Sequence, residues 1–160
     1  GKRIFAQNCQ LCHQQTGLGT PGQYPPLAGS EWVQSLDWHG DNHLVKIVLM
    51  GMQGPLTVKG MPFNNAMPAW NQLKDEQIAA VLTYVRNEWG NKATPIAVDN
   101  VKHIREELKG MGRTDPWSPD EIKKIPKIMF TAPAAAAPAA PAAGAPPAVP
   151  APATPPAPQA

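Results

Sequence analysis

Residues 9 to 13, CQLCH, constrain this chain more than any other stretch. Two thiols three positions apart, Cys9 and Cys12, can each add to a vinyl group of a porphyrin, and His13 then places an imidazole beneath the iron. A chain that does this must surround a flat apolar group, so its fold is set by what has to be wrapped. Two other chemistries use the same CxxC spacing. A dithiol redox pair would normally sit between a strand and a helix, yet no alternating β-branched run precedes Cys9. Half of a zinc site would need more thiols or a well-spaced histidine pair, and the sequence offers two cysteines and four histidines spread over His13, His39, His43 and His103. One covalently attached haem is the leading reading.

A chain of 160 residues allows one core of ordinary size plus an accessory segment, and three Phe, two Tyr and five Trp can wall a flat cofactor. No apolar run approaches the length that crosses a bilayer. The opening piece KRIFAQN reads as the end of a helix, so the expectation is a mature or truncated form of a longer chain. Thioether attachment itself implies export, to the periplasm or the outer face of a bacterial cytoplasmic membrane. Residues 1 to 90 carry Lys2, Arg3, Lys46, Lys59, Lys74 and Arg86 against Glu31, Asp37, Asp41, Asp75, Glu76 and Glu88, so the net charge of +2 arises in residues 91 to 130. That balance gives no reason to expect a nucleic-acid partner, and steering of a protein partner would depend on how the charges are arranged.

In chain order, TGLGTPG and QYPPLAGS form a turn-rich stretch. Pro26 has a carbonyl but no donor, and its fixed backbone suits a rigid turn that presents an oxygen to the outer nitrogen of His13. Ser30 is expected to cap a short helix through Trp32, Val33 and Leu36. A second helix should begin near Asp41 or Asn42, carry Leu44, Ile47 and Val48, and end at Gly51. His39 and His43 are four apart, but Gly40 between them argues for a loop boundary and for surface or turn histidines. GMQGPLTVKG lacks the spacing of a phosphate loop and reads as a tight excursion over a haem edge, β-branched at Thr57 and Val58.

Two Met-Pro pairs follow, at Met61 and Met67. A thioether is a soft, weak axial ligand that favours ferrous iron. Met67 is the expected distal ligand because it lies a short loop ahead of a helix that can brace it, with Met61 as the alternative in a more open turn. Either could instead be a packing residue. The helix is LKDEQIAAVLTYVRNEWGN, in which Ile78, Val81, Leu82, Val85 and Trp89 share a face while Asp75, Glu76, Arg86 and Glu88 are expected to face water. Its natural partner is the segment with Ile4 and Phe5. Two axial ligands leave no open position for substrate, so no catalytic site is expected.

Residues 1 to 91, with CQLCH, PPLAGSEW, GPLTVKG, NAMPAW and LKDEQIAAVLTYVRNEWGN, resemble a small class I monohaem cytochrome c. The resemblance implies an all-α fold around one haem c, with Cys9 and Cys12 in the thioethers, His13 proximal, Pro26 accepting from His13, and Met67 distal. PPLAGSEW and YVRNEWGN are similar to cytochrome c domains of membrane-associated dehydrogenases, oxidases and quinol-oxidising complexes, which implies redox protein partners within such an assembly. Lys74 departs from the family, which usually has a serine or threonine capping the last helix there.

Beyond Asn91 the family wording gives out. DNVKHIREELKG places Val101, Ile104 and Leu108 on one face with Gly110 at its end, and WSPDEI is a capping box, with Ser118 as cap, Pro119 in the first helical position and Glu121 reaching back. Pro126 should cut that helix short. Residues 92 to 130 are thus a helical annex that packs on the haem domain or grips a neighbouring subunit. His103, among charged residues, is not expected to be a ligand. From 131 to 160 the chain holds fifteen alanines and ten prolines and no charge, the composition of an extended linker that would be mobile unless pinned along a partner. Electron transfer leads among the functions. A haem sensor with a labile sixth ligand and a mainly structural assembly subunit are the alternatives.

Overall fold

The apolar stripe Ile78, Val81, Leu82 and Val85 is buried in helix α4 (Asp75–Val85), and three other helices pack against it: α1 (Lys2–Asn8), α3 (Asp41–Met50) and α5 (Val98–Gly110). The computed structural model describes residues 1–132. Two short helices complete the helical set, α2 (Gln10–His13) and α6 (Pro119–Lys124). The expected all-α architecture is found with one addition, an antiparallel hairpin of β1 (Leu56–Val58) and β2 (Met61–Phe63). Its register pairs Leu56 with Phe63 and Val58 with Met61 across a two-residue turn in which Lys59 and Gly60 both have positive φ. That turn matches the twist of the strands it joins.

The two ends of the first ninety residues meet as expected. Phe5, buried at 2% exposure, stacks edge-on against Trp89 at 5.1 Å and lies 5.6 Å from the Tyr84 ring. Burying a side chain of this size contributes about 1.5–3 kcal/mol. Helix α4 stops at Val85, short of the anticipated Trp89, because the Asn91 side chain takes over the backbone there. Asn91 Nδ2 donates to the Val85 and Leu27 carbonyls, and its Oδ1 accepts from Gly29 N–H. At the other end of α4 Lys74 gives no side-chain cap; its carbonyl accepts from Gln77 N–H at 3.0 Å, and Gln77 Oε1 accepts from Lys74 N–H at 2.9 Å. Asp75 and Glu76 in the first turn complement the dipole.

The short helix expected after Ser30 is not formed. Residues 31 to 35 make turns, and Ser35 and Asp37 have φ of 55° and 56°, which no right-handed helix accommodates. The reason is Arg86. Expected to face water, it is 1% exposed, and its guanidinium donates to the Val33 carbonyl at 2.8 Å, Ser35 Oγ at 2.9 Å and the Thr94 carbonyl at 2.7 Å. It also forms an ion pair of 2.7 Å with Asp41, which is 0% exposed. The turn is therefore shaped around a buried cation as well as by its own backbone bonds, Gln34 N–H to the Ser30 carbonyl and Leu36 N–H to the Glu31 carbonyl.

The annex packs on the rest of the described chain. Val101, Ile104 and Leu108 of α5, with Ile96, Trp117 and Ile122, join the same buried cluster as Leu44, Val48 and Leu82. Lys46 of α3, itself 1% exposed, reaches Glu107 of α5 at 2.7 Å. After α6 the chain runs as a strap across the start of α3. Asp41 N–H donates to the Ile128 carbonyl, Asn42 bonds both Pro126 and Ile128, and Phe130 N–H donates to Asp41 Oδ2 at 2.7 Å. The alanine- and proline-rich stretch, from residue 133 on, lies outside the described residues.

Helix α6 carries the anticipated cap. Ser118 Oγ accepts from Glu121 N–H, and Glu121 Oε2 accepts from Ser118 N–H at 2.9 Å and from the Arg113 guanidinium at 3.1 Å. Arg113 first, and the Ser118 bonds second, hold the Glu121 carboxyl down at about 2, below its ordinary 4.5. A carboxyl depressed in the folded state adds stability that is present above its unfolded value and is lost as pH falls toward 2. Glu121→Gln is expected to leave stability below that window unchanged and to lower it modestly at neutral pH, since Glu121 is half exposed and screened. Thermal unfolding at pH 7 and at pH 2 measures the difference, and equal losses at both pH values would contradict it.

Candidate haem site

Helix α1 breaks at Cys9, and the four-residue α2 that follows brings Cys9, Cys12 and His13 to one wall of a cleft. Leu11, between the thiols, points outward and is 88% exposed. The loop after α2 is held by Gly17, whose φ of 66° lets its backbone lie against the Trp89 ring, where a Cβ would come within 2.5 Å. Gly17 in turn accepts at its carbonyl from Leu27 and Ala28 N–H, which fixes the Tyr24–Leu27 segment opposite His13.

His13 is buried, and its Nδ1 lies 3.0 Å from the carbonyl oxygen of Pro25. The anticipated acceptor was Pro26. The turn has the expected role, but it is the first proline of the pair that supplies the oxygen. In a non-helical segment successive carbonyls point to opposite sides, so only one of two neighbouring residues can face the imidazole, and Pro26 contributes its buried ring to the cleft wall instead. With Nδ1–H donating to Pro25, the lone pair is on Nε2, the atom a metal would take. Burial pushes the His13 imidazole below its ordinary value, and the Pro25 carbonyl partly opposes that shift. The neutral, metal-binding form is therefore the resting one. Burial, and to a smaller extent Cys12, push the Cys9 thiol up to about 11.

Two adjoining clefts share Cys9, His13, Pro25, Met52, Met67 and Trp70 in their walls. The rest of the second cleft is almost wholly apolar, drawn mainly from α3, α4, β1 and residues 27–33, and the first also has Asn8, Tyr24 and Asn65 in its wall. The donor set suits a porphyrin: two thiols, one imidazole with its outer nitrogen engaged, and a methionine in the same cleft. The residues present fit a covalently held haem.

Met67 is half-buried and its backbone is paired with that of Met52 in both directions, at 3.0 and 2.8 Å. Gly51 permits this approach: with φ of 76°, it lies so close to the Met67 carbonyl that a Cβ would meet it at 2.5 Å. Met61 sits in β2, 40% exposed, and lines neither cleft. Met52 was not anticipated as part of the site. It is buried at 6% and lines both clefts, and its position just after the helix-ending Gly51 was the available sign. His39 and His43, expected at the surface or in turns, are 4% and 1% exposed and lie in neither cleft wall. His43 Nδ1 accepts from Gly40 N–H and its Nε2–H donates to the Ile125 carbonyl, so it ties α3 to the strap. His103 is exposed on α5.

A family model described as cytochrome c matches residues 1–89. The chain is 42% identical over 125 residues to cytochrome c-552 of Thermus thermophilus, covering 78% of this chain and 82% of that protein. It is 32% identical over 107 residues to the cytochrome c subunit of a quinone alcohol dehydrogenase from Gluconobacter oxydans, 66% of this chain and 22% of that subunit. It is also 34% identical over 111 residues, 67% of this chain, to the gluconate 2-dehydrogenase cytochrome c subunit of Pantoea cypripedii, of which that covers 24%. An alignment of 125 residues is longer than the 91 over which a resemblance was expected, so likeness to the Thermus protein extends beyond Asn91.

Proposed function

This chain belongs to the cytochrome c family and works in electron transfer through a c-type haem domain; on that premise we propose that Cys9 and Cys12 hold one haem c covalently, with His13 as proximal and Met67 as distal ligand. The observation that carries this reading is the shared cleft, in which both thiols, an imidazole oriented by Pro25 and the Met67 side chain stand together. When bound, the iron supplies one-electron exchange between its ferric and ferrous states. The protein's part is to keep that exchange reversible. The Pro25 carbonyl fixes the tautomer and raises the basicity of His13. The apolar walls exclude water, and a thioether opposite the imidazole favours the ferrous form. Residues 1–91 are the unit that holds the haem, residues 92–130 an annex, and residues 131–160 a separate alanine- and proline-rich segment.

The same reading places the chain outside the cytosol, in the periplasm or at the outer face of the membrane, exchanging electrons with redox proteins that include subunits of a membrane-associated respiratory complex or dehydrogenase. Supporting this, two of the relatives described above are cytochrome c subunits of dehydrogenases. Among the described residues no helix is long and apolar enough to cross a membrane.

Expression with haem loading outside the cytosol, followed by denaturing electrophoresis and haem staining, tests the attachment. Haem is expected to stay with the unfolded chain and to be lost from the variant carrying Cys9→Ser and Cys12→Ser together. Release of haem from the parent chain on denaturation would sink the proposal.

A further inference from the structure

The segment that carries Met67 is held on two flanks by the annex. On one, Met52 bridges Met67 to residue 117: Trp117 N–H donates to the Gly51 carbonyl at 3.0 Å and Gln53 N–H donates to the Trp117 carbonyl at 2.8 Å. A short ladder of backbone bonds therefore runs from the annex through residues 51–53 to the Met67 backbone. On the other flank is Arg105 of α5. Its Nη1 donates to the Asn71 carbonyl at 2.8 Å, its Nη2 to the Leu73 carbonyl at 2.7 Å, and its Nε to Asp75 Oδ1 at 2.6 Å. One planar guanidinium thus closes the stretch between Met67 and the start of α4, with the Asp75 carboxylate fixing the fork.

We propose that Arg105 is a positioning residue for the distal ligand: by tying the Asn71 and Leu73 carbonyls to α5, it holds the Met67 loop from the flank opposite the Met52–Trp117 ladder. The inference rests on Met67 being the distal ligand. A loop clamped at both flanks returns the thioether to the same place after each thermal excursion, so the sulfur bond to iron opens rarely. Without the Arg105 fork the downstream half of the loop is fixed by backbone bonds such as Trp70 N–H to the Val48 carbonyl and Leu73 N–H to the Trp70 carbonyl. Charge-assisted bonds of this kind are strong enough that losing them should raise local opening about tenfold to hundredfold.

The test compares the ferric, haem-loaded parent with Arg105→Gln, Arg105→Lys and Asn42→Ala. The last removes side-chain bonds to the strap at Pro126 and Ile128 and touches no part of the Met67 loop. Two readouts are followed: the rate at which added imidazole displaces the far-red band of sulfur bound to ferric iron, and amide hydrogen exchange at Met52 and Met67. Arg105→Gln is expected to speed both about tenfold to hundredfold. Arg105→Lys, which can reach Asp75 but cannot fork to two carbonyls, should stay nearer to Arg105→Gln than to the parent. Asn42→Ala should lower the unfolding temperature without changing the imidazole rate. Parent-like rates in Arg105→Gln, full recovery in Arg105→Lys, or equal acceleration by Asn42→Ala would each overturn the proposal. If the parent itself lacks the far-red sulfur band, the ligand reading fails and this inference falls with it; a normal parent band with unaltered Arg105→Gln kinetics defeats the positioning role alone.

Discussion

Met67→Ala is expected to abolish the far-red absorbance band of the ferric protein, whereas Met61→Ala keeps it. Met67 stands in the cleft with His13 and both thiols, and Met61 is on the outer hairpin strand. The backbone of residue 67 is paired with Met52 whatever its side chain, so the variant loses a ligand without losing the loop. If the thioether prefers ferrous over ferric iron by ten- to hundredfold, its removal lowers the reduction potential by about 60–120 mV. Loss of the band in Met61→Ala with retention in Met67→Ala would reverse the assignment.

The largest effect on stability is expected at Asp41. Its carboxylate pairs with Arg86 at 2.7 Å, accepts from Ser35 Oγ at 2.6 Å and from Phe130 N–H at 2.7 Å, and is wholly buried. Asp41→Ala leaves the Arg86 guanidinium buried without its counter-charge, a change that costs about 3–5 kcal/mol. For a domain of this size that corresponds to a drop in Tm of about 10 °C or more. Replacing both members by apolar residues of similar volume should recover part of the loss, because the desolvation cost disappears with the charge. A Tm in Asp41→Ala within a degree or two of the parent would show that the pair is solvated in solution.

How far the sequence revealed this arrangement follows from the kind of signal each part carries. Residue chemistry at fixed local spacing is readable: CQLCH, the stripe of α4, the α5 face of Val101, Ile104 and Leu108, and the Ser118–Glu121 cap all depend on residues within a few positions of one another. What local spacing conceals depends on distant partners. The charge of Arg86 points to water, although the residue continues the stripe of Ala79 and Leu82 on α4, both buried. Its burial is made possible by Asp41, Val33 and Thr94, and no local pattern reports them. The choice between Pro25 and Pro26 turned on which of two adjacent carbonyls faces His13, a matter of chain direction that identical residue types conceal. Met52 is concealed for the same reason, since its place in the cleft is set by the approach of Gly51 to the Met67 backbone.

The bond from Phe130 to Asp41 joins residues 89 positions apart. Closing so long a loop is entropically costly and is slow relative to helix formation. During synthesis the thiols at 9 and 12 emerge well before Arg86, and Arg86 before the strap that gives Asp41 its last partner. An order is then built into the chain: the wall that carries Cys9, Cys12 and His13 is made first, and the ionic cluster closes last. A chain interrupted before residue 130 would keep the wall of CQLCH but not the latch.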